Sequence, residues 1–355
     1  MADGRSKAVL GELADLSSRS NYGIDLVRNL REPLGAGDII DVPSISALTV
    51  ATSGASDVSA QTITTNVLSL NANLQPMINM EIPLVAKMQL LDGNWAGQVA
   101  EQATIQLKNS MDNLLMRDYL ALSLCWVTGA AGAGDVYHIN PEADSLSEDD
   151  ILNGKAALLS NDGVEAQNII FVVSPYAEAS IASIAGFIPN GKMAESGMLG
   201  IPQIGTVFGV PVFSSNSIKR NQSVATTAAT AASSALTCTV ATGHGFVPGQ
   251  VVTTAGLTTN STNVVVTSTT ATTVVIPTTA GDGAFGDGVG TITDASSRNL
   301  MMDKSQIFAA QQKLPSVRTV PYFNRTSDAL QISSVWGRIG RAGRCYTVHS
   351  PGSSA

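Results

Sequence analysis

The stretch NIIFVVSP, at residues 168–175, determines the fold class of the central part of the chain. Its five consecutive apolar residues, Ile169 to Val173, are typical of a strand that is covered on both faces, as in a parallel sheet. Pro175 follows almost at once, and proline is favoured at the first position of a helix because it lacks an N–H that would stay unpaired there. The stretch therefore predicts a buried strand that leads directly into a helix.

Elements on both sides extend this pattern to an α/β region over residues 148–221. The segment SEDD at 147–150 predicts a capped helix start, because acids in the first turn suit the helix dipole. Leu152, Ala156 and Leu159 are predicted to form the buried stripe of that helix. Further on, GTVFGVPVF at 205–213 predicts a pair of strands. A glycine-rich, weakly charged excursion precedes the pair, from Ile184 to Leu199.

A hairpin is predicted upstream of this region, between residues 35 and 91. Two runs rich in β-branched residues, 40–51 and 62–73, flank the polar tip TSGASD at 52–57. One interpretation is an edge hairpin on an ordinary sheet. The other is a long arm that reaches over a neighbouring molecule. The second is favoured because Thr, Ser and Asn cover the hairpin, whereas exposed edges are usually protected by charged side chains.

A long amphipathic helix is predicted over residues 97–127, after the turn DGN at 92–94. About thirty residues at ~1.5 Å each would span ~45 Å, far beyond the average helix. The first 34 residues carry a shorter helical pattern and are predicted to be an arm held by a neighbour, because one apolar stripe cannot bury itself. The apolar stripe of the long helix consists of Ala100, Ala103, Leu107, Met111, Leu114, Leu115 and Leu122.

The sharpest break in composition lies between Arg220 and Arg298. No Lys or Arg occurs between them, and the only acids are three aspartates. The segment is predicted to begin with an Ala/Thr linker from Val224 to Ala235 and to continue as short β runs with Gly- and Asn-rich turns. We therefore predict a small all-β domain at 222–297, inserted into a host fold whose strands resume after it.

The composition excludes several classes of function. The chain has 355 residues, a net charge of −8 and only 14% charged residues, whereas binding of nucleic acid by counterion release needs clustered Lys and Arg. No apolar run reaches the ~18 residues of a membrane span. The N-terminus lacks the apolar region of a signal peptide. We expect neither a membrane partner nor sequence-specific binding of DNA.

The residues that usually carry catalysis or bind metals are few and scattered. His138, His244 and His349 are far apart in sequence, and no pair has the spacing of metal ligands. His244 is predicted to lie in a turn. An odd number of widely separated cysteines argues against a disulfide framework. We therefore expect no enzymatic activity and no catalytic, metal-binding or cofactor-binding residue.

The order of these elements resembles that of the major capsid (coat) proteins of tailed bacteriophages, whose fold is named after phage Hong Kong ninety-seven. GDIIDVP at 37–43 is similar to the start of the family's extended loop, and 61–71 to its return strand. The predicted helix at 97–127 corresponds to the long spine helix of the peripheral domain. Residues 169–175 and 204–212 resemble the strand–Ser-Pro–helix step and the Gly–hydrophobic–Pro-Val strand of the axial domain.

The resemblance covers most of the chain outside the insertion and implies an α+β fold. Some family members carry an inserted β domain in the axial region, and HGFVPGQVV at 244–252 resembles a small β module of phage structural proteins. The implied parts are an N-terminal arm (1–34), an extended β-hairpin loop with peripheral-domain strands (35–91), the spine helix and following loop (92–147), an axial α/β domain (148–221), the inserted all-β domain (222–297) and a return to axial and peripheral strands (298–355).

The function implied by the resemblance is structural. The chain would self-assemble into pentamers and hexamers of an icosahedral virion shell around double-stranded DNA, formed in the host cytoplasm and without any cofactor. A portal and a decoration protein are implied partners. A separate scaffolding protein is also implied, because the hairpin begins by residue 38 and leaves no room for the family's large scaffolding segment. The residues expected at subunit contacts are Val50, Thr52, Ser56, Thr62, Thr64, Met193, Met198 and Leu199.

One departure from the family concerns covalent cross-links. The type member joins its subunits by Lys–Asn isopeptide bonds, with the Lys on the extended loop. Here no Lys lies between Asp38 and Ala86. We therefore expect a non-covalent shell.

Two other functions stay open. An encapsulin-like shell of a bacterial nanocompartment has the same fold and holds a protein cargo. The Thr/Val-rich insertion and the absence of a recognisable cargo-docking pattern disfavour it. A surface adhesin is suggested by the Thr-rich β segment, but the missing signal and the α/β region argue against it.

Overall fold

The structure is a computed structural model. It describes residues 138–351 with short gaps, at 144, 162–163, 190–202, 219–221, 233, 243, 258–259, 279–282, 285–289, 306, 322–327 and 341–343. Before residue 138 it describes five strands and residues 112, 113 and 116. Side-chain burial is described for those three residues, for 138–307 and for 344–351, with the same gaps.

Strands make up most of the described chain. Those before residue 138 are β1 (Arg28–Asn29), β2 (Ile39–Ile45), β3 (Thr65–Asn71), β4 (Asn73–Leu74) and β5 (Ile78–Ile82). The later ones are β6 (His138–Ile139), β7 (Ile169–Val173), β8 (Phe187–Pro189), β9 (Gln203–Val207), β10 (Val210–Ser214), β11 (Ser223–Ala232), β12 (Ala235–Val240), β13 (Val251–Ala255), β14 (Val264–Val265), β15 (Ser268–Thr269), β16 (Thr273–Pro277), β17 (Gly283–Ala284), β18 (Thr291–Thr293), β19 (Ser296–Asp303), β20 (Ile307–Pro321), β21 (Asp328–Gly340) and β22 (Cys345–Pro351).

The chain divides into two compact units, residues 1–112 with 307–339 and residues 113–306 with 340–355. The first unit contains a five-stranded sheet in the order β1-β20-β21-β4, with β5 also paired to β21. It also contains the two-stranded sheet of β2 and β3. The described residues of the second unit form a seven-stranded sheet and an eight-stranded sheet, and two helices lie between residues 148 and 182.

The predicted hairpin is present in its described part. β2 and β3 pair antiparallel, from Ile39 opposite Asn71 to Ile45 opposite Thr65. The tip between the two strands, residues 46–64, lies outside the described residues. Whether the hairpin acts as an arm on a neighbour therefore stays a prediction.

The predicted long helix is described at three positions. Asp112, Asn113 and Met116 are helical, and Met116 is buried whereas Asn113 is exposed. The length of the helix over 97–127 stays a prediction.

The seven-stranded sheet confirms the strand predicted from NIIFVVSP. Its order is β6-β22-β19-β7-β10-β9-β8, so β7 lies at the centre. β7 is parallel to β10 and antiparallel to β19. All five residues of β7 are buried, as expected for a strand covered on both faces. The predicted strand pair at 205–213 is also confirmed, as β9 and β10 joined by a turn at Phe208 and Gly209.

Two helices pack in this unit, and the sequence signals at their starts are confirmed. Helix α1 (Glu148–Leu159) begins with a capping box, in which Ser147 and Asp150 bond each other's backbone N–H. Helix α2 (Pro175–Ala182) has Pro175 in its first turn, and the Ser174 side chain accepts from the Ala177 N–H. Both caps satisfy N–H groups that a helix start leaves unpaired.

The predicted buried stripe of α1 is wrong. The buried positions are Ile151, Gly154 and Leu158, whereas Leu152 and Leu159 are 42% and 41% exposed. A Cβ at Gly154 would lie 3.0 Å from the Met301 sulfur, so α1 approaches the sheet most closely there. Two apolar pairs in this helix are seven residues apart, Ile151 with Leu158 and Leu152 with Leu159. The close packing at Gly154 places the first pair against the sheet.

The eight-stranded sheet is formed wholly by residues between 223 and 293. Its order is β14-β13-β18-β11-β12-β16-β15, with β17 also paired to β11. β11 and β18, the first and last of its strands, pair with Ser223 opposite Thr293. Its core consists of Ala229, Ala231, Leu236, Cys238, Val240, Phe246, Val252, Leu257, Val266, Val274, Ile276 and Ile292.

The predicted Ala/Thr linker at 224–235 is wrong, because most of it is strand β11. Thr226 is buried near the start of the strand, and Ala229 and Ala231 are buried further along. The pairing with β12 shifts register between Thr226 and Ala228. This irregularity moves the buried side chains from even to odd positions, so no single two-residue period runs through the segment.

Candidate functional site

The eight residues predicted at subunit contacts, on the hairpin and in the excursion before β9, lie outside the described residues. Their role stays a prediction. The described chain nevertheless reaches the start of the excursion, and its exposed apolar groups there and on the helices form the candidate interface.

β8 forms one edge of the seven-stranded sheet and lies in the segment predicted only as an excursion. Its residue Ile188 is 67% exposed, more than any other large apolar side chain in the described part of the chain. The opposite side of the strand is held tightly to β9: a Cβ at Gly205 would lie 2.5 Å from the Phe187 ring and 2.6 Å from the Ile188 carbonyl oxygen. An edge strand that exposes a large apolar side chain is a candidate for contact with another chain.

The helices expose further apolar side chains. Leu152 and Leu159 lie seven residues apart on α1 and give it a second apolar face, away from the sheet. Tyr176 at the start of α2 is also exposed. Single exposed apolar residues are normal on a monomer, so these side chains extend the candidate interface but do not define it.

A buried polar cluster lies where the seven-stranded and eight-stranded sheets meet. We call it the junction cluster; it consists of His138, Asp294, Ser296, Arg298 and His349. Arg298 and His349 are direct partners across β19 and β22. His138 lies on β6 next to them, and its Nδ1 is 3.0 Å from His349 Nε2.

Hydrogen bonds continue from the histidines to the end of the eight-stranded sheet. The Ser296 hydroxyl lies 3.3 Å from His349 Nδ1 and donates to an Asp294 carboxylate oxygen at 2.7 Å. The Arg298 guanidinium meets the same oxygen at 3.4 Å. Asp294, Ser296, Arg298 and His349 are almost completely buried, so the Arg298–Asp294 pair is one whose disruption typically costs about 3–5 kcal/mol.

The loop at 244–250 is attached to this cluster. The Gln250 amide donates to the Asp294 carboxylate, and its oxygen accepts from the Val247 N–H at 3.2 Å. On the other side of the loop, a Cβ at Gly249 would lie 2.9 Å from Pro141, just after β6. The cluster thus connects β6, β19 and β22 with a loop of the eight-stranded sheet.

His244, predicted in a turn, is a buried organiser of that loop. Its Nδ1 accepts from the Phe246 N–H at 3.0 Å, and its Nε2 lies 2.7 Å from the Thr270 carbonyl oxygen. The backbone oxygen of His244 accepts from the Gln222 side chain. Burial lowers the pKa of His244, the bond to Thr270 opposes this, and the positive charge of Arg298 lowers it further.

Burial also determines the charge state of the two paired histidines. It lowers the pKa of His138 to about 3, with a further contribution from the Arg298 cation. Part of His138 is exposed, but its Nε2 is buried and has no hydrogen-bond partner among the described residues. The pKa of His349 lies well below its usual value, mainly because of burial and further because of the charges of His138 and Arg298. Both imidazoles are therefore neutral near pH 7.

The cluster contains the residue types of a hydrolase triad without its arrangement. In such a triad the carboxylate orients the histidine, and the histidine accepts the serine proton. Here the Ser296 hydroxyl donates directly to Asp294, and Ser296 and His349 are both fully buried. No substrate can reach this serine in the folded chain, so the cluster is structural.

The described part of the chain holds no group of three or more His, Cys, Asp and Glu side chains that could bind a metal. Of the helices described there, none is long and apolar enough to cross a membrane. Cys238 and Cys345 are both buried, and burial raises the pKa of the Cys238 thiol to about 11.

The pairing of His138 with His349 was not predicted from the sequence. The two residues are 211 positions apart and meet only because β6 and β22 pair in parallel. One sequence signal for this cluster was available: Arg298 and His349 each lie in a segment that otherwise reads as a strand. A charged or polar residue in a buried strand needs a hydrogen-bond partner. That signal indicates a polar cluster but not its members.

No family model and no curated protein matches the chain. Solved structures similar to it include phage capsids. The mature capsid of bacteriophage PhiM1 has a TM-score of 0.52 at 12% identity, over 93% of this chain and 87% of that chain. The capsid of Ralstonia phage GP4 has a TM-score of 0.52 at 11% identity, over 93% and 88%. The prediction of a phage capsid fold is thereby confirmed, whereas the spine helix and the domain boundaries stay predictions.

Proposed function

We propose that the chain is the structural subunit of a tailed-phage capsid shell and acts by burying its surface against copies of itself. The observation that supports this most strongly is the capsid fold shared with two phage structures along nearly the whole chain.

The physical basis of assembly is the sum of modest contacts. The edge strand β8, with Ile188, offers apolar surface to a neighbour. The face of α1 with Leu152 and Leu159 offers more. Closed symmetry repeats each contact around the shell, and a subunit held at several places leaves only when all are broken.

The proposed shell is icosahedral, built of pentamers and hexamers, and encloses double-stranded DNA in the virion after assembly in the host cytoplasm. The net charge of −8 suits a container that does not bind its contents tightly. Portal, scaffolding and decoration proteins are the proposed partners. Val50, Thr52, Ser56, Thr62 and Thr64 are proposed to contact one neighbour through the hairpin.

Met193, Met198 and Leu199 are proposed to contact neighbours near the centre of each ring. They follow β8 along the chain, so Ile188 is the described residue with which this part of the proposal can be tested. A charged residue there would place an unpaired carboxylate in the interface, which is costly when water is excluded.

The test compares Ile188→Asp with Val265→Asp in the full chain, each expressed with a scaffolding protein. Val265 is the matched control because it is also an exposed apolar residue on an edge strand, β14 of the eight-stranded sheet. We expect wild type and Val265→Asp to sediment as closed particles and Ile188→Asp to remain as folded, unassembled subunits.

The possible outcomes distinguish the contact at β8, the formation of a shell and the content of that shell. Particles from all three chains would refute the contact at β8 but not the shell. A wild-type chain that stays monomeric at high concentration with scaffold present would refute the shell itself. Closed particles that hold a protein cargo instead of DNA in their native source would indicate the nanocompartment function.

We also propose that the shell is held together without covalent bonds between subunits. The hairpin region from Asp38 to Ala86 contains no Lys that could form an isopeptide bond. Particles boiled in denaturant with reductant should run as single-chain bands on a gel. A ladder of multimers would contradict the proposal.

A further inference from the structure

The junction cluster has one consistent arrangement of protons. Ser296 donates its proton to Asp294, so its oxygen can accept one from His349 Nδ1. His349 Nε2 is then unprotonated and accepts from His138 Nδ1. This assignment follows from the network. It also makes the buried Nε2 of His138 an acceptor rather than a donor.

An added proton has no favourable position in this arrangement. On His138 it would go to Nε2, a buried atom without a described hydrogen-bond partner. On His349 it would go to Nε2 and set two N–H groups against each other across 3.0 Å. Either proton would also add a second positive charge beside Arg298, whose single described carboxylate partner is Asp294.

We propose that the junction cluster is an acid-sensitive joint, which holds β6 and β22 to the root of the eight-stranded sheet only while the imidazoles of His138 and His349 are both neutral. Because the cluster also carries Asp294, the acceptor of Gln250, its opening would release the loop at 244–250 as well. The inference concerns the folded subunit and goes beyond the proposed shell.

The direction of the pH dependence follows from the lowered pKa values. In the open joint each imidazole takes up a proton near its ordinary pKa of about 6.5, whereas in the closed joint His138 does so only at about 3. Closure is therefore fully favoured above about pH 6.5 and is weakened progressively as the pH falls toward 3. The pKa of His349 is also lowered in the closed joint, so His349 adds to the effect.

Charged and titratable groups lie on both faces of the sheet around these two imidazoles. Arg298, Asp294 and, in the loop, His244 lie on the cluster side of the sheet, and Cys345 lies toward the far end of β22. Alternation along β22 puts Tyr346 on the opposite face, where its hydroxyl bonds the Ala157 carbonyl of α1. The remaining titratable groups of the elements packed there are Glu148, Asp149, Asp150, Lys155, Tyr176, Glu178, Asp303, Lys304 and Arg344.

Hydrogen exchange of the full chain tests the joint. Exchange is followed at about pH 7.5 and about pH 5.0, and protection is corrected for the intrinsic rate at each pH. We expect β6 and β22 to lose protection by up to about 30-fold for each imidazole over this interval. The strands β12 and β16, in the core of the eight-stranded sheet, should change much less.

Two variants separate the joint from general acid destabilisation. His138→Asn keeps a donor near the position of Nδ1 but cannot titrate, so it should remove about half of the acid effect on a logarithmic scale. His244→Asn, which removes the histidine outside the pair, should retain the acid-dependent opening of β6 and β22. The wild-type measurement can overturn the proposal without either variant. It would do so if β12 and β16 lost as much protection at acid pH as β6 and β22, or if the protection of β6 and β22 did not change.

Discussion

The seven-stranded and eight-stranded sheets form two cores by different means. In the seven-stranded sheet, β7 is buried along its whole length and α1 packs against β19 and β22. In the eight-stranded sheet, β12 alternates between buried and partly exposed residues, and no helix occurs among the described residues from 223 to 293. In the first sheet β7 and β19 are buried on both faces, whereas in the second sheet β12 is fully buried on one face only.

This difference explains the difference in composition. In a sheet with one solvent-exposed face, Thr, Ser and Asn side chains can cover that face, so residues 221–297 need neither Lys nor Arg. The two cores share no member and are connected by the junction cluster. We therefore expect damage to one core to spare the other, and damage to the joint to affect the connection between them.

Removal of Phe171 should have the largest effect. Its side chain is fully buried in the centre of β7, and Phe→Ala in a core costs about 3–5 kcal/mol. In Phe171→Ala, amide protection should fall in β10 and β19, measured by hydrogen exchange, while β12 and β16 remain protected. A simultaneous loss in both sheets would show that the cores are not independent.

The reciprocal substitution is Ile276→Ala in the eight-stranded sheet. Ile276 is fully buried and pairs with Leu236 across β12 and β16. The expected cost is about 2–5 kcal/mol, with protection lost in β12 and β16 and retained in β7 and β10. The same hydrogen-exchange measurement checks it, and loss of protection in β7 would count against two separate cores.

Gly205→Ala should have a smaller effect, confined to the edge of the seven-stranded sheet. Its Cβ would lie 2.6 Å from the backbone oxygen of Ile188, so β8 must move; overpacking of this kind costs about 1–3 kcal/mol. Thermal unfolding measures the loss in stability, and hydrogen exchange shows which strands lose protection. The control is Gly154→Ala, whose contacts are the ends of Met301 and Ile139 and whose gain in helix propensity offsets the crowding. An equal cost for both would contradict the assignment of β8 as a tightly held edge.

Features with a local sequence signal were predictable. The strand at 169–173, the Ser174-Pro175 helix start and the Ser147 capping box each depend on neighbours in sequence, and the structure confirms them. The sequence also predicts strands at 316–324 and 330–337, and the described strands β20 and β21 are longer than these two runs. Their ends lack a clear β pattern, and pairing with neighbouring strands extends them.

Features that depend on distant contacts were not predictable. β11 reads as a low-complexity linker because a register shift interrupts its alternation. The pair His138–His349 depends on parallel pairing across 211 residues. The choice between Leu152 and Ile151 as the buried side of α1 depends on a close approach to Met301. In each case the deciding partner lies far away in the chain.

If copies of this chain close into a shell, cryo-electron microscopy of the full chain, purified with the proposed scaffolding protein, should show closed particles with fivefold vertices. The seven-stranded sheet should fit their density with β8 against an adjacent subunit. Single, unassembled chains at high concentration, or open aggregates without symmetry, would contradict it.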